Sequence, residues 1–369
     1  MKTLKITTGN RQYSVLTGRG IIKQLPNSIY KWKQPSGILV IIDKKVSELH
    51  KEKISDLVTG INEKISIYRI AASEKNKTLK ECEKIFQFLN MNNFGRDALI
   101  VAIGGGITGD VAGFVASTYM RGIPLIHVPT TLISAIDSSI GGKTGVNFSN
   151  IKNNIGTFYP PTMVFTDTSF LETLDAKEIR SGMGEVIKYG IIGGNDFLSL
   201  IEKEFFALLD LEPRIIDETV GRCIRIKKSI VEADEHEKSL RKVLNLGHTF
   251  GHALESATQY RLSHGESVAA GILCSSIIAK NRKILPRDKF ERLTKLPLLL
   301  LSKTKSGFPD GKEILSFMES DKKKRAGKNM LVIPAEAGKI IIDFETKDSE
   351  IQKALEEFRT ISGKKEKSI

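Results

Sequence analysis

Half of the chain's six histidines fall in one stretch: His248, His252 and His264 lie between Arg241 and His264. Residues three and four apart share a face of a helix, so the spacing predicts a helix over Arg241–Thr258 with Arg241, Asn245, His248 and His252 in one polar stripe. Val243, Leu244, Leu246 and Phe250 cover most of the remaining circumference. Such a helix is buried, and its polar stripe must face a metal, an ion, a substrate or a satisfied structural cluster. Imidazole is the commonest protein metal ligand near neutral pH, which favours the metal. Further upstream, Gly182-Met183-Gly184-Glu185-Val186-Ile187-Lys188-Tyr189-Gly190 sets Glu185 and Lys188 three apart on one helix face. Flanked by glycines and apolar residues, this pair reads as buried, and a buried carboxylate needs a cation. One carboxylate with two histidines is a catalytic zinc set that keeps a coordination position for substrate. Spacing leaves the second histidine open, since His248 and His252 would also serve as an i, i+4 ligand pair.

Two loops carry a different chemistry. After the apolar run Ala98–Ile103, Gly104-Gly105-Gly106-Ile107-Thr108-Gly109-Asp110 leads into a helix. Glycines there admit a phosphate close to the backbone, and the helix N-terminus offers free N–H groups to an anion. The run matches G-x-G-x-x-G, but the acidic residue expected about 20 positions on is missing. Asp43 instead ends the strand Ile38–Ile42, where a ribose-binding carboxylate belongs. The second loop runs from Pro129-Thr130-Thr131 through Asp137-Ser138-Ser139-Ile140-Gly141-Gly142-Lys143-Thr144-Gly145 to Lys152-Asn153-Asn154-Ile155-Gly156. It is dense in hydroxyls, glycines and ammonium groups and has no hydrophobic periodicity, so it reads as a segment outside the core. Its Gly-Gly-Lys-Thr lacks the preceding spacing of a P-loop, which argues against nucleoside triphosphate hydrolysis.

These residues need elements to position them. Apolar runs at Gly37–Ile42, Lys64–Ile70, Ala98–Ile103, Pro124–Val128 and Met163–Phe165 alternate with helical segments such as Val46–Thr59 and Leu79–Met91, predicting an α/β domain with a parallel sheet. Leu4–Thr8 and Arg11–Leu16, joined at Gly9-Asn10, predict an edge hairpin. Beyond residue 168 the pattern turns to long helices at Ala176–Ile191, Pro213–Val231, Arg241–Thr258 and Glu266–Asn281. A short β patch at Met330–Pro334 and Lys339–Ile342 and a helix near Ser349–Thr360 follow. Two domains, 1–168 and 169–369, suit a chain of 369 residues. With 27% charged and 40% hydrophobic residues, no bilayer-length apolar run and no leader-like N-terminus, the expectation is a soluble cytoplasmic protein. Cys82, Cys223 and Cys274 are scattered, without metal-type spacing, and are expected as core thiols. The net charge of +13 gathers partly in Lys322–Lys328 and Lys364–Lys367 without interleaved aromatics. A nucleic-acid partner is therefore not expected, nor a membrane, and the remaining charge suits an anionic small substrate.

Taken together, Gly104–Asp110, Arg121-Gly122, Pro129–Asn147, Lys152-Asn153, Gly184–Gly190, Asn245–His252 and His264-Gly265-Glu266 resemble the 3-dehydroquinate synthases, within the sugar phosphate cyclases. The resemblance implies a Rossmann-like parallel-sheet domain that binds NAD, followed by a mainly α-helical domain that binds metal and substrate. It implies conversion of 3-deoxy-D-arabino-heptulosonate 7-phosphate to 3-dehydroquinate and phosphate, by transient oxidation with NAD, elimination, re-reduction and an intramolecular aldol. Position by position, it makes Glu185, His248 and His264 the ligands of zinc or cobalt and leaves His252 for proton transfer or hydroxyl contact. Asp43, Glu74, Lys77, Gly105, Gly106, Asp110, Thr130, Thr131, Lys143 and Lys152 match the cofactor site. Lys143, Asn153, Asn245, Arg121 and Lys322 or Lys323 match the phosphate site, Arg241 and Lys227 the carboxylate site, and Asp137 and Lys188 the ring hydroxyls. It further implies a homodimer in which Arg121 serves the neighbouring subunit. Other sugar phosphate cyclases and polyol dehydrogenases of the glycerol dehydrogenase type are the rival enzyme classes.

Overall fold

The computed structural model describes residues 1–9, 11–149, 151–304, 308–322 and 329–363. The side chain of Lys322, with Lys323 and the Lys364–Lys367 tail, lies outside the described residues, and with it the expected phosphate contact. Contacts divide the chain into two compact units, Met1–Leu174 with Ile216–Glu235, and Asp175–Ile215 with His236–Ile369.

The first unit opens with β1 (Lys2–Thr8) and β2 (Arg11–Gly18), the antiparallel hairpin expected at the edge. There follow α1 (Leu25–Trp32), β3 (Ile38–Asp43), α2 (Lys44–Leu49), α3 (Lys51–Thr59), β4 (Ile65–Ile70), α4 (Leu79–Met91), β5 (Leu99–Gly104), α5 (Gly106–Thr118) and β6 (Leu125–Pro129). A ribbon of β7 (Lys143–Phe148) and β8 (Ile151–Phe158) precedes β9 (Met163–Asp167). The main sheet has seven strands in the order β1-β2-β9-β6-β5-β3-β4, parallel from β2 onward. Its central strands are apolar on both faces because both faces are covered. Ile38, Val40, Ile42, Val101 and Ile103 enter one core layer, whereas Leu39, Ile41, Ile100 and Ala102 enter the other. The chain steps from β3 outward to β4 and returns on the opposite side of β3 as β5. That reversal opens a crevice at the carboxyl ends of β3 and β5, which carry Asp43 and Gly104.

Two expectations change here. The helix expected over Val46–Thr59 is broken at His50, which is 7% exposed, meets the Phe170 ring at 4.8 Å and sets Nε2 2.8 Å from Thr173 Oγ1. Burial of that ring outweighs continuity of the helix. The glycine- and hydroxyl-rich segment after Pro129 is not outside the core: Leu132, Ile136, Ile140 and Val146 are at most 1% exposed. Several of its hydroxyls are satisfied locally, as when Thr144 Oγ1 and Thr157 Oγ1 meet at 2.9 Å and Ser139 Oγ donates to Ser134 O at 2.7 Å, so a segment of low hydropathy can be buried. Glycines let it lie against α5, where a Cβ on Gly113 would come within 2.5 Å of Thr144 Cγ2.

The second unit contains α6 (Ala176–Gly193) and α7 (Asn195–Leu209), with α8 (Pro213–Ala233) running from it into the first unit's share of the sequence. It continues with α9 (His248–Ala257), α10 (His264–Asn281), α11 (Arg287–Leu301), α12 (Gly311–Lys322), the antiparallel pair β10 (Asn329–Glu336) and β11 (Lys339–Thr346), and α13 (Asp348–Gly363). Helix α10 is buried over most of its length and packs against α6, α9, α11 and α13. No helix among the described residues is long and apolar enough to cross a membrane. Cys82, Cys223 and Cys274 are all buried thiols outside any disulfide.

The helix expected over Arg241–Thr258 is two pieces. Leu240–Asn245 forms a 3₁₀ turn, Gly247 takes a left-handed φ of 80°, and α9 starts at His248. The break follows from crowding by α10. A Cβ on Gly247 would stand 2.6 Å from Val268 O, and one on Gly271 would stand 1.9 Å from Gly247 O. Arg241 and Asn245 therefore do not share a helix with His248 and His252.

Candidate active site and metal centre

Three helices of the second unit bring a carboxylate and two imidazoles together. Glu185 lies on α6, His248 is the first residue of α9, and His264 is the first of α10. One ligand atom from each of Glu185, His248 and His264 lies within 4.8 Å of the others. Glu185 Oε1 is 3.2 Å from His264 Nε2 and 3.5 Å from His248 Nε2, and Glu185 Oε2 is 2.5 Å from Lys188 Nζ. Glu185 and Lys188 are both within 1% of full burial, so the pair holds its geometry without water between. His252 stands beside this group, its ring 5.5 Å from that of His248 and 6.3 Å from that of His264, and is not one of the three.

Backbone contact sets the spacing of the ligands. A Cβ on Gly184 would lie 2.0 Å from Gly265 O, and one on Gly265 would lie 1.8 Å from Ser181 O, so α6 and the start of α10 touch without intervening side chains. A capping box of Ser263 and Glu266 opens α10, and Glu266 Oε1 also accepts from Arg180 Nε of α6 at 2.9 Å and from Thr304 Oγ1 at 2.9 Å. The helix carrying Glu185 is thus tied by an ion pair to the helix carrying His264.

The donor set fits a divalent cation. His248 turns Nδ1 to Leu246 O at 3.3 Å and His264 turns Nδ1 to Glu255 Oε1 at 2.5 Å, so both rings direct Nε2 at Glu185. Burial, with Lys188 close by, pulls His248 down to about 3 and keeps it a neutral donor. Burial alone would lower His264 as well, but hydrogen bonds to Glu185 and Glu255 push it up to about 10. The field there favours positive charge at His264, which a proton supplies and which a divalent cation would supply in the proton's place.

A cleft of about 460 Å³ adjoins this group, lined among others by His248, His252, Asn245, Glu237, Lys242 and Asp343. Asn245 Nδ2 donates to Glu237 Oε1 at 2.5 Å, and Lys242 Nζ lies 2.5 Å from Asp343 Oδ2. Arg241, on the same 3₁₀ turn as Asn245, is 2% exposed.

In the first unit the glycine loop and the threonine loop pack on one another. Gly105 caps α5, and a Cβ on it would meet Thr131 Cγ2 at 3.0 Å; Gly106 lies similarly close to Ser138 Oγ, and Thr130 N donates to Gly104 O at 3.0 Å. Lys77 Nζ pairs with Asp110 Oδ2 at 2.5 Å, where burial raises the Asp110 carboxyl and Lys77 opposes the rise. Glu74 Oε2 accepts from Asn147 Nδ2 at 2.8 Å, Lys152 Nζ lies 3.9 Å from Glu74, and Asn153 N donates to Asn147 Oδ1 at 3.0 Å. Lys152 and Asn153 are therefore gathered beside Glu74. Asp43 accepts from Lys45 N at 2.8 Å and caps α2, with burial raising its carboxyl. Lys227 Nζ donates to Asp137 O at 2.6 Å and pairs with Asp137 Oδ1 at 2.5 Å. Lys143 is exposed at the start of β7, and Arg121 is exposed past the C-terminus of α5, in a left-handed φ of 66°.

Sequence reasoning missed Glu255, Glu266 with Arg180, the Lys242–Asp343 pair and the buried His127 below the glycine loop. Glu255 had a signal: it falls three residues after His252 and seven after His248, on the same face of α9. Glu266 had one too, as the fourth residue of a Ser-x-x-Glu capping box, but its pairing with Arg180 and that of Lys242 with Asp343 join residues far apart in the chain and left none.

Two family models match: one described as 3-dehydroquinate synthase N-terminal, over residues 67–181, and one described as 3-dehydroquinate synthase C-terminal, over residues 182–324. The 3-dehydroquinate synthase of Desulforamulus reducens is 37% identical over 95% of this chain and 98% of its own. Among solved structures, a 2-deoxy-scyllo-inosose synthase complexed with carbaglucose-6-phosphate, NAD+ and Co2+ is similar with a TM-score of 0.87 and 26% identity, over 96% of this chain and 99% of that one. A 2-epi-5-epi-valiolone synthase of Streptomyces hygroscopicus with NAD+ and Zn2+ bound gives a TM-score of 0.86 at 26% identity, with the same coverage of both chains. With both family models matched in order and a curated relative aligned over nearly its whole length, the chain belongs to the 3-dehydroquinate synthase family.

Proposed function

We propose that this protein is a 3-dehydroquinate synthase, turning 3-deoxy-D-arabino-heptulosonate 7-phosphate into 3-dehydroquinate and phosphate with NAD and a divalent metal, zinc or cobalt. The observation that carries the reading is the Glu185–His248–His264 group, gathered around the buried Glu185, in a chain of this family. We assign NAD to the domain of residues 1–168 and metal to that of residues 169–369, with Ile216–Glu235 grouped with the first unit by its contacts. When bound, the metal supplies Lewis acidity toward the substrate's hydroxyls and NAD a hydride acceptor that is restored within the turnover.

The chain's own residues then have distinct tasks. Glu185, His248 and His264 hold the metal. Glu74, Lys77, Asp110, Lys152, Asp43 and the Gly105–Gly106 and Thr130–Thr131 backbone hold NAD. Lys143, Asn153, Asn245, Arg121 and Lys322 take the phosphate, and Arg241 and Lys227 the carboxylate, since guanidinium and ammonium groups bind such oxyanions through charge-assisted hydrogen bonds. Asp137 and Lys188 contact ring hydroxyls, and His252, beside the metal group, moves a proton. Asp137 and Lys227 are already paired, so substrate engages them by exchanging that contact for its hydroxyl and its carboxylate. We further propose a cytoplasmic homodimer in which Arg121 acts on the neighbouring subunit's substrate. The exposure of Arg121 beyond the end of α5, at the opposite end of that helix from Gly105 and Gly106, supports this reading.

Phosphate release from the heptulosonate phosphate over many turnovers, with no net NADH absorbance, tests the activity. Stoichiometric NADH would instead assign a polyol dehydrogenase. For the dimer, confirmed heterodimers of Arg121→Ala and His248→Ala subunits should regain activity that both parents lack; heterodimers as inactive as the parents would refute the sharing.

A further inference from the structure

The two histidines of the metal group are held differently. His248 rests Nδ1 on a backbone carbonyl at 3.3 Å, whereas His264 rests Nδ1 on the Glu255 carboxylate at 2.5 Å. Glu255 is 5% exposed and lies on α9, the helix that His248 begins, whereas His264 begins α10. An ionised carboxylate only accepts, so its short contact requires the proton on Nδ1 and leaves the Nε2 lone pair for a metal. The same contact fixes the ring plane between α9 and α10 and makes this imidazole the more electron-rich of the two.

We propose that Glu255 is a positioning residue for His264: it selects the ring's tautomer, orients it, and makes His264 the stronger of two unequal histidine donors. The proposal rests on the reading of Glu185, His248 and His264 as ligands, and goes beyond it by giving a task to a residue that touches neither metal nor substrate. It also explains why a second carboxylate is buried within reach of the group when one would complete the donor set. Glu185 faces the Nε2 side of His264 and Glu255 its Nδ1 side.

The test uses the full-length protein and zinc alone, with affinity measured by competition against a chromophoric chelator. Glu255→Ala should weaken zinc binding by about 10- to 100-fold, the range found when outer-shell partners of metal-bound histidines are removed. Glu255→Gln keeps the shape and an acceptor oxygen but loses the charge, so it should weaken binding less. The visible absorption bands of the cobalt-loaded protein should move in both variants, which a purely structural tie between helices would not cause. Where Glu255→Ala fails to fold by far-UV circular dichroism, Glu255→Gln carries the test. Zinc affinity within twofold of the parent protein and unmoved cobalt bands in a folded variant would overturn the proposal. His264→Ala separates the two readings: lost zinc there with unaltered binding in the Glu255 variants sinks only the role of Glu255, whereas retained zinc in His264→Ala sinks both.

Discussion

The two units prepare for their ligands in opposite ways. In the first, the charged residues proposed to meet ligand face one another in pairs: Lys77 with Asp110, Lys227 with Asp137, Lys152 with Glu74. Asp110 and Lys227 stand on α5 and α8 and the others on short turns or β8, and each charge can exchange its partner for a group of the ligand. In the second, the side chains of the candidate metal group stand on three helices pressed together backbone to backbone at Gly184–Gly265 and Gly247–Gly271. A cation needs donors placed to within a few tenths of an ångström, and helices in direct backbone contact supply that precision. Exchangeable pairs suit a cofactor and substrate that come and go; glycine-packed helices suit an ion that stays.

The largest effect that would break this contrast is at the helix contact. Gly265→Val would force branched carbons into Ser181 O, already only 1.8 Å from a single Cβ, and should cost about 3 kcal/mol or more with loss of zinc. Thermal melting and metal content measure it, and a variant that melts and binds zinc normally would show that the contact is not tight. Next comes the division of labour among the histidines. His264→Ala should lose zinc, whereas His252→Ala should keep it and lose about 10²- to 10⁴-fold in rate, the usual contribution of a proton-transferring group. Zinc loss in His252→Ala would move that residue into the ligand set.

A third effect concerns the first unit. His127 is buried below the glycine loop, and burial lowers it from 6.5 to about 4. Its neutral form is favoured on folding, so this contribution is complete above about pH 6.5 and drains as the pH falls toward about 4, because the unfolded chain takes up the proton first. The difference is worth roughly 3 kcal/mol at its acid limit, at about 1.4 kcal/mol per pH unit. Urea unfolding at pH 7 and pH 5 should show His127→Gln losing less stability on acidification than the parent; equal losses would refute the burial cost. The smallest effect is a surface control in the second unit. Arg282 holds the Glu350 carboxyl below its ordinary 4.5, a pair whose benefit is present above that pH and lost below it. Arg282→Ala should cost less than about 1 kcal/mol at neutral pH without changing zinc affinity.

Much of this was legible along the chain. The alternation of β-rich and helical runs specifies the parallel sheet and the helical second unit because both patterns are local: period, caps and turns act over a few residues. Helix α4 begins and ends at Leu79 and Met91, where periodicity put it, with Thr78 accepting from Glu81 N as its cap. The residue types at Glu185, His248 and His264, and the glycines at Gly104–Gly106, announced metal and phosphate chemistry before any geometry. Tertiary structure decided the rest. It broke the expected histidine helix at Gly247 because α10 approaches too closely for any side chain. It placed His264 rather than His252 against Glu185, and set Glu255 behind it. Lys143 excepted, it buried most of the segment from Leu132 to Val146, whose hydroxyls and glycines read as solvent-facing until their partners on α5 and β8 are known. Each of these depends on atoms brought together from distant parts of the chain, and the spacing of residues along a sequence carries no measure of that distance.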